Sequence, residues 1–85
     1  MTRFAAMVEV RLRPGIADPQ GATIERALPA LGFDDMSEVT TGKAFRMVVD
    51  APDETAARGR LDELCRRFLT NPVMEDAEVT LVALP

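Results

Sequence analysis

The sequence predicts an α+β fold in which two helices pack on one face of a four-stranded antiparallel sheet. Apolar residues alternate near both ends of the chain, and two internal segments carry them at helical spacing. Proline and glycine residues separate these segments, which gives the element order βαββαβ. The 85 residues are predicted to form one domain, residues 1–85, whose small core favours self-association.

The first strand is predicted from Phe4 to Leu12. Every second residue of this segment is apolar and the charged residues fall on the opposite face, which is the pattern of a strand with one buried side. Pro14 and Gly15 end the strand, because proline lacks the N–H that a ladder requires and glycine tolerates turn geometry.

The first helix is predicted to begin after Asp18, whose carboxylate can accept from the first free backbone N–H groups. Pro19 suits the first helical position. Pro29 disrupts the last turn, because it removes one hydrogen bond, and Gly32 ends the helix. The apolar stripe of this helix consists of Ile24, Ala27, Leu28 and Leu31.

A β-hairpin is predicted next, with its turn at Gly42 and Lys43 between two β-prone runs. The first run, Met36 to Thr41, is predicted to be an edge strand. The second run places three apolar residues on one face: Phe45, Met47 and Val49.

The second helix is predicted to begin near Pro52, where Asp53 and Glu54 favour the positive N-terminus. It ends by Asn71, because Pro72 cannot continue it. Its apolar stripe consists of Ala57, Leu61, Leu64, Cys65 and Phe68. The buried face of the last strand consists of Ala77, Val79, Leu81 and Ala83.

These elements predict a ferredoxin-like sandwich whose second sheet face is open. Four apolar residues are predicted on that open face: Met7, Val48, Val82 and Leu84. Apolar residues on an uncovered face indicate a partner subunit, so we expect a dimer formed through sheet or strand contacts.

The charge balance narrows the classes of partner. Ten basic against fourteen acidic residues give a net charge of −4, which argues against broad attraction to nucleic acid or to anionic lipid. No apolar run approaches the roughly 18 residues of a membrane span, and the N-terminal segment alternates instead of forming a signal peptide. We therefore expect a cytoplasmic protein.

The residues needed for common catalytic and metal sites are missing. The chain has no histidine and one cysteine, Cys65, which excludes an intramolecular disulfide, the usual zinc sites and a histidine-based triad. The glycine spacing matches no phosphate-binding loop. We expect no catalytic residue, cofactor or metal in this chain, and we expect Cys65 to be buried on its helix.

Some charged residues allow two interpretations. Glu75 and Asp76 follow a stiff turn that can direct them at a partner. Arg66 and Arg67 either complement the C-terminus of the second helix or contact a partner or an anion. Lys43 is either an exposed turn residue or part of an interface.

Three segments carry uncommon motifs in a fixed order. They are LRPGIADPQGATIERALPALGF (Leu12–Phe33), VTTGKAF (Val39–Phe45) and LTNPVMED (Leu69–Asp76). Together they resemble the PurS family, the small subunits of phosphoribosylformylglycinamidine synthase in bacterial and archaeal purine synthesis. Two features depart from the family pattern: Thr40 and Thr41 stand where an arginine is usual, and Ala77 stands where an aromatic residue is common.

The resemblance implies an accessory subunit of a glutamine-dependent, ATP-consuming C–N ligase. This enzyme converts formylglycinamide ribonucleotide to formylglycinamidine ribonucleotide in de novo purine biosynthesis. PurS-like proteins are dimers that bridge a glutaminase subunit and a large synthetase subunit and help ammonia pass between them. ATP and magnesium then belong to the synthetase, and neither nucleic acid nor membrane is an expected partner.

Two segments and one lysine are the candidates for the contact with these subunits. The candidate interface residues are Arg13, Pro14, Gly15, Asp18, Pro19, Gln20, Gly21, Lys43, Asn71, Pro72, Glu75 and Asp76. The prolines restrict the strand-to-helix connection, so less entropy is lost when a partner docks on it.

Two other functions compete with this one. A module that binds a small molecule between subunits would need convergent polar groups, usually including histidine or tyrosine, and the chain has neither. An interaction domain outside purine synthesis fits the periodicity equally well. Only the three motifs separate that alternative from the purine enzyme.

Overall fold

In the computed structural model, which describes residues 1–85, three antiparallel strands form one sheet in the order β2-β1-β3. The strands are β1 (Thr2–Leu12), β2 (Gly42–Ala51) and β3 (Glu75–Ala83). The helices are α1 (Pro19–Ala27) and α2 (Glu54–Leu64). A 3₁₀ turn (Pro29–Leu31) follows α1, and a π-helical turn (Cys65–Leu69) continues α2.

The core lies between α2 and one face of the sheet. The predicted alternation along β1 is confirmed, because Phe4, Ala6, Val8 and Val10 are all buried and Val8 is 0% exposed. α2 packs on this face through Ala57 and Leu61, and its π-helical turn adds the buried Cys65. The outer strands add partly buried residues around this core: Phe45, Met47, Val49, Val79 and Leu81.

The predicted hairpin turn at Gly42 and Lys43 is wrong. Both residues belong to β2, and Gly42 lies opposite Arg11 on β1. A Cβ atom at Gly42 would lie 2.5 Å from the carbonyl oxygen of Val10. The glycine therefore permits a close approach between two strands and does not form a turn.

The predicted fourth strand is also wrong, since the segment before β2 is irregular and follows α1. The Thr41 N–H donates to the Asp18 carboxylate at 2.7 Å, and the Val39 N–H donates to the Glu25 carboxylate at 2.9 Å. Glu38 has a φ of 56°, which no strand residue adopts. Because side-chain carboxylates take the N–H groups that a ladder would use, the sheet has three strands instead of four.

The predicted start and end of α1 are confirmed. Asp18 is the N-cap and accepts from the Gly21 N–H at 2.9 Å. The regular helix ends before Pro29, and the 3₁₀ turn ends at Gly32, which has a φ of 92°. The Phe33 N–H folds back onto the Leu28 carbonyl at 3.0 Å.

α1 does not cover the sheet, which corrects the prediction that both helices pack on one face. We call Pro19–Thr41 the arm. It has few contacts with the strands, and Ile24 and Leu31 of its apolar stripe are 41% and 68% exposed. The molecule measures 52 × 31 × 14 Å with a radius of gyration of 16.5 Å. A compact domain of this length has a radius of about 12 Å, so the arm extends away from the core.

The predicted stripe of α2 fails at Phe68, which is 79% exposed. The Thr70 N–H donates to the Cys65 carbonyl at 3.0 Å, so the last turn closes over five residues. Because a π-helical turn holds more residues than an α-helical turn, it rotates Phe68 away from the buried face.

Candidate subunit interface

The candidate interface residues come together at one end of the sheet. β1 ends there, and β2 and β3 begin there, with Arg11 opposite both Gly42 and Asp76. The Arg13 N–H donates to the Met74 carbonyl at 2.8 Å and joins the two predicted segments directly. We call Arg13–Gly21, Lys43 and Asn71–Asp76 the docking end. Residues that are distant in the sequence therefore form one continuous surface.

Arg13 connects the first segment to the second through its side chain. Its Nε lies 3.1 Å from Asp76 Oδ1 and donates to the Glu75 carbonyl at 3.4 Å. Both charged side chains of the ion pair are about half exposed or more, at 46% and 61%. An exposed pair of this kind stabilises a fold by about 0–1 kcal/mol, so these charges are held in place but stay accessible to a partner.

The second segment is a tight turn held by Asn71 and Glu75. The Asn71 side chain accepts from the Val73 N–H at 3.0 Å, and its carbonyl accepts from the Glu75 N–H at 2.8 Å. The Glu75 carboxylate accepts from the Asn71 N–H at 2.8 Å and lies 3.9 Å from the Lys43 ammonium. Only 16% of the Glu75 side chain is exposed, so this carboxylate holds the turn, whereas Asp76 faces solvent.

Asp18 joins the two ends of the arm. Its carboxylate accepts from the Gly21 N–H at 2.9 Å, from the Thr41 N–H at 2.7 Å and from the Thr41 hydroxyl at 2.8 Å. These hydrogen bonds, that of Gly21 first, lower the pKa of the Asp18 carboxyl below its ordinary value. The ionised carboxylate thus fixes the direction in which the arm leaves the docking end.

Gly21 is the one buried residue of α1, because the arm passes close to its backbone. A Cβ atom at Gly21 would lie 2.6 Å from the Val39 carbonyl oxygen and 2.7 Å from Asp18 Oδ2. Pro19 occupies the first helical turn, and Gln20 is exposed. In the motif Asp-Pro-Gln-Gly, Asp18 therefore caps the helix and Pro19 starts it. Gly21 leaves room for the backbone at Val39.

The connection before Asp18 is a turn, as Pro14 and Gly15 predict. The Ile16 N–H donates to the Arg13 carbonyl at 3.1 Å, and Gly15 has a φ of 87°. A groove runs between this turn and Thr40 and Thr41. The two threonines that depart from the family pattern thus line the docking end.

The remaining charged candidates lie along α2 and its π-helical turn. Arg67 donates to Glu63 at 3.0 Å, and Arg60 lies 3.8 Å from the same carboxylate. Arg66 has no ion pair within the chain. Burial, with a smaller effect from Asp62, raises the pKa of the Cys65 thiol, so the thiol stays protonated at neutral pH.

Neither a cluster of metal-ligating side chains nor a membrane-spanning helix is present. No three of its His, Cys, Asp or Glu side chains lie together in a way that could hold a metal ion. Neither helix has the length and apolar character to span a bilayer.

Two residues that shape this surface, Thr41 and Glu25, are not predicted from the sequence. Both act through hydrogen bonds between residues far apart in the chain. An N-cap aspartate predicts one local bond, but its second oxygen has no sequence pattern that would name Thr41 as its donor.

Comparison with known proteins gives a consistent result. Residues 5–83 match the family model PurS, described as phosphoribosylformylglycinamidine (FGAM) synthase. The chain is 36% identical over 76 residues to phosphoribosylformylglycinamidine synthase subunit PurS of Methanocaldococcus jannaschii, which covers 89% of this chain and 92% of that protein. It is 38% identical over 81 residues to the subunit of the same name from Synechocystis, covering 95% of this chain and 81% of that protein.

A solved structure extends the likeness to three dimensions. A chain in the structure of PurLQS from Thermotoga maritima superposes with a TM-score of 0.88 and 30% sequence identity. The superposition covers 96% of this chain and 100% of that chain.

Proposed function

Because the chain belongs to the PurS family and is a subunit of phosphoribosylformylglycinamidine synthase, we propose that it couples the glutaminase and synthetase subunits of this enzyme. The observation that carries the proposal is the likeness to a chain of the PurLQS assembly. The enzyme is a glutamine-dependent ligase of purine biosynthesis, and this chain is its accessory subunit.

The construction of the docking end supports a role in assembly. Arg13, Asn71 and Glu75 hold two loops together by hydrogen bonds within the chain, while Asp76 and Pro72 stay exposed. A surface that is already ordered loses little conformational entropy when a partner binds. Coupling two subunits requires such a surface and requires no nucleophile.

The chemistry of the reaction explains why a coupling subunit is useful. Ammonia that escapes to bulk water is protonated and diluted, so its transfer under cover raises the effective concentration at the second site. In this scheme the glutaminase releases ammonia, and the synthetase activates the amide of formylglycinamide ribonucleotide with ATP and magnesium. The present chain holds the two sites in register and helps to enclose the route.

Self-association and a cytoplasmic location complete the proposal. Two surfaces support a homodimer or a higher homo-oligomer: the stripe of the arm, and the open sheet face with Met7, Val48 and Val82. Apolar surface of this extent on a small domain is typical of a protein interface. The reaction draws on soluble metabolites, which agrees with the cytoplasm.

The test combines the purified chain with the cognate glutaminase and synthetase subunits. Formylglycinamidine ribonucleotide is measured with glutamine and, separately, with ammonium chloride as the nitrogen source. We expect glutamine-dependent synthesis to require this chain and ammonia-dependent synthesis to persist without it. If both activities and co-elution are independent of the chain, the coupling function is wrong.

The role of the docking end is tested by removing the two prolines that stiffen the connection from β1 to α1. Pro14→Ala and Pro19→Ala are each expected to weaken assembly about two- to fivefold, because a connection without the proline ring has more freedom to lose when a partner binds. Pro85→Ala, at the exposed C-terminus, is the matched control. Unchanged assembly of both docking-end variants would count against the proposed surface.

A further inference from the structure

The groove between the turn after β1 and the end of the arm brings side chains of opposite charge together. We call it the turn groove. Its charged and hydroxyl-bearing residues are Arg11, Arg13, Asp18, Thr40 and Thr41, and Ile16 contributes apolar surface. Because the groove opens at the docking end, its chemistry indicates which kind of group a partner can place there.

The single carboxylate of the turn groove already has partners within the chain. Asp18 accepts from the Gly21 N–H at 2.9 Å, from the Thr41 N–H at 2.7 Å and from the Thr41 hydroxyl at 2.8 Å. These three donors offset its negative charge, so Asp18 does not require a cation from another molecule. A cation that entered the groove would instead meet two arginines.

Arg13 uses only one nitrogen of its guanidinium within the chain. Its Nε lies 3.1 Å from Asp76 Oδ1 and donates to the Glu75 carbonyl at 3.4 Å. These contacts hold the side chain in one orientation, and neither terminal nitrogen makes a hydrogen bond within the chain. Since both terminal nitrogens carry N–H donors and the side chain is 46% exposed, these donors are available to another molecule.

Two further groups of the turn groove favour an anion. Arg11 is held through its Nε, 3.3 Å from Glu9, and through a bond to Glu78, and it is 52% exposed. Thr40 is exposed, and its hydroxyl makes no hydrogen bond within the chain. The groove therefore presents positive charge and free donors beside apolar surface.

We propose that the turn groove receives the carboxylate of an aspartate or glutamate side chain of a partner subunit, and that Arg13 binds this carboxylate through its terminal nitrogens. The parallel N–H groups of a guanidinium match the two oxygens of a carboxylate, which makes such a pair directional as well as strong. Ile16, which is 37% exposed, offers a contact to the carbon atoms of the acidic side chain.

The charge of the whole chain gives this contact a role in specificity. A chain with a net charge of −4 repels acidic segments over most of its surface, so a local cationic groove selects where such a segment can bind. The inference rests on the proposed coupling function, which supplies the partner subunits. It adds the chemical group that one of them presents to the docking end.

The first test measures the affinity of the chain for the purified cognate glutaminase and synthetase, each alone and both together, by isothermal titration calorimetry. Arg13→Gln is expected to weaken binding about tenfold, because it removes the charged donors of a desolvated pair. Arg13→Lys is expected to lose less, since an ammonium keeps the charge but not the paired donors. Arg3→Gln is the matched control: Arg3 lies at the opposite end of β1, and its Nε is likewise paired with an aspartate, at 3.6 Å from Asp50 Oδ1.

The second test separates a direct contact from a role in holding the turn. Arg13→Gln is repeated in the Asp76→Asn background, where the ion pair within the chain is already broken. The inference predicts the same loss of about tenfold in both backgrounds, because the terminal nitrogens bind the partner independently of Asp76. If Arg13 acts only through Asp76, the loss disappears in the Asp76→Asn background. The backbone bond from the Arg13 N–H to the Met74 carbonyl remains in every variant.

Three results would overturn the inference and leave the coupling function intact. They are Arg13→Gln binding that equals wild-type binding, an equal loss for Arg3→Gln and Arg13→Gln, and a loss for Arg13→Gln that vanishes in the Asp76→Asn background. A wild-type chain that binds neither subunit would overturn both the inference and the coupling function.

Discussion

α1 and α2 begin in the same way but end in different surroundings. The N-cap aspartate of each helix accepts from the N–H three residues later, at 2.9 Å in α1 and at 2.8 Å in α2. α2 buries Ala57 and Leu61 against the sheet, whereas the one buried residue of α1 is Gly21. An apolar stripe thus predicts that a helix packs, but it does not tell which surface the helix packs against.

The difference arises in the connections that follow the helices. One short turn held by Asn71 links the π-helical turn after α2 to β3, so α2 is held against the strand next to it. The segment after α1 is instead hydrogen bonded to α1 itself through Asp18 and Glu25. α2 therefore belongs to the core, and the arm is a separate unit that the same chain presents outward.

The largest expected effect concerns how much α2 and the arm each contribute to stability. Leu61→Ala is expected to lower the free energy of unfolding by about 2–5 kcal/mol, because it leaves a cavity under α2. Leu31→Ala is expected to cost less than about 0.5 kcal/mol at concentrations where the chain is monomeric. Urea unfolding followed by far-ultraviolet circular dichroism measures both, since the chain lacks tryptophan and tyrosine.

Measuring the stability of both variants at several protein concentrations tests this difference further. If the arm docks on a second copy, the cost of Leu31→Ala rises with protein concentration, whereas the cost of Leu61→Ala is present at every concentration. Equal losses for both variants in the dilute chain would show that the arm packs on its own core.

A smaller effect is expected from glycine substitutions in the two helices. Gly21→Ala places a methyl group 2.6 Å from the Val39 carbonyl oxygen, and the backbone must shift to admit it. We expect a loss of about 1–3 kcal/mol from the packing of the arm. In α2, Gly59→Ala meets no atom within 4 Å and is the matched control.

Gly59→Ala is expected to stabilise the protein by up to about 1 kcal/mol, because alanine is the better helix former. Amide hydrogen exchange along residues 19–41 and 54–64 resolves the two changes locally. Slower exchange in the arm of the Gly21→Ala variant would contradict the close approach.

The sequence predicts the local features of this fold well. Short-range rules account for four of these features: the alternation along β1, the Asp18 and Asp53 caps, the irregular turn at Pro29 and the left-handed conformation of Gly32. Each rule depends on residues within one helical turn or one strand, and no distant part of the chain competes with it.

Three predictions failed where a distant or unusual contact decides the structure. The glycine at position 42 is typical of a turn in the sequence. In the structure a glycine is needed there because the Val10 carbonyl leaves no room for a side chain. The edge strand before it is lost to hydrogen bonds with side chains of the arm. Phe68 leaves its stripe because of a π-helical turn, for which the sequence shows no pattern. In the docking end, by contrast, the family motifs named residues that the structure does bring together.

Acidification is expected to affect Asp18 at the base of the arm. The folded state lowers the pKa of Asp18, so its contribution to stability is present above the unfolded value of about 3.9 and is lost as the pH falls through the folded value. An NMR titration of the Thr41 amide should therefore show a midpoint below the ordinary aspartate value. Asp18→Asn should abolish this titration and leave the signals of α2 unchanged.

Asp53→Asn is the control for the loss of a charged N-cap. The Asp53 side chain accepts from the Ala56 N–H and binds no distant segment, so this variant should leave the Thr41 signal unchanged. A Thr41 midpoint at or above the ordinary aspartate value would mean that the carboxylate does not hold the arm in solution.

The smallest expected effect concerns Arg58, on the side of α2 that faces β3. Two backbone hydrogen bonds show which residues of β1 bond to β3. The Arg13 N–H donates to the Met74 carbonyl, and the Leu84 N–H donates to the Arg3 carbonyl. Because hydrogen-bonded pairs alternate along antiparallel strands, the odd-numbered residues of β1 are the ones that bond to β3. Val79 lies opposite Val8, so its carbonyl points to the free edge of the sheet. Arg58 thus covers an edge that could otherwise pair with another chain.

Arg58→Ala is expected to lower the free energy of unfolding by only about 0.5–1 kcal/mol, because the lost bond is partly exposed. Its main consequence is slow aggregation through β3, which light scattering at elevated concentration detects. Arg66→Ala, which removes an arginine without an ion pair from the neighbouring turn, is the matched control and should stay clear. If both variants scatter light alike, the loss of a positive charge, and not an open strand edge, explains the aggregation. The contact between Arg58 and the Val79 carbonyl would then not protect the edge of β3.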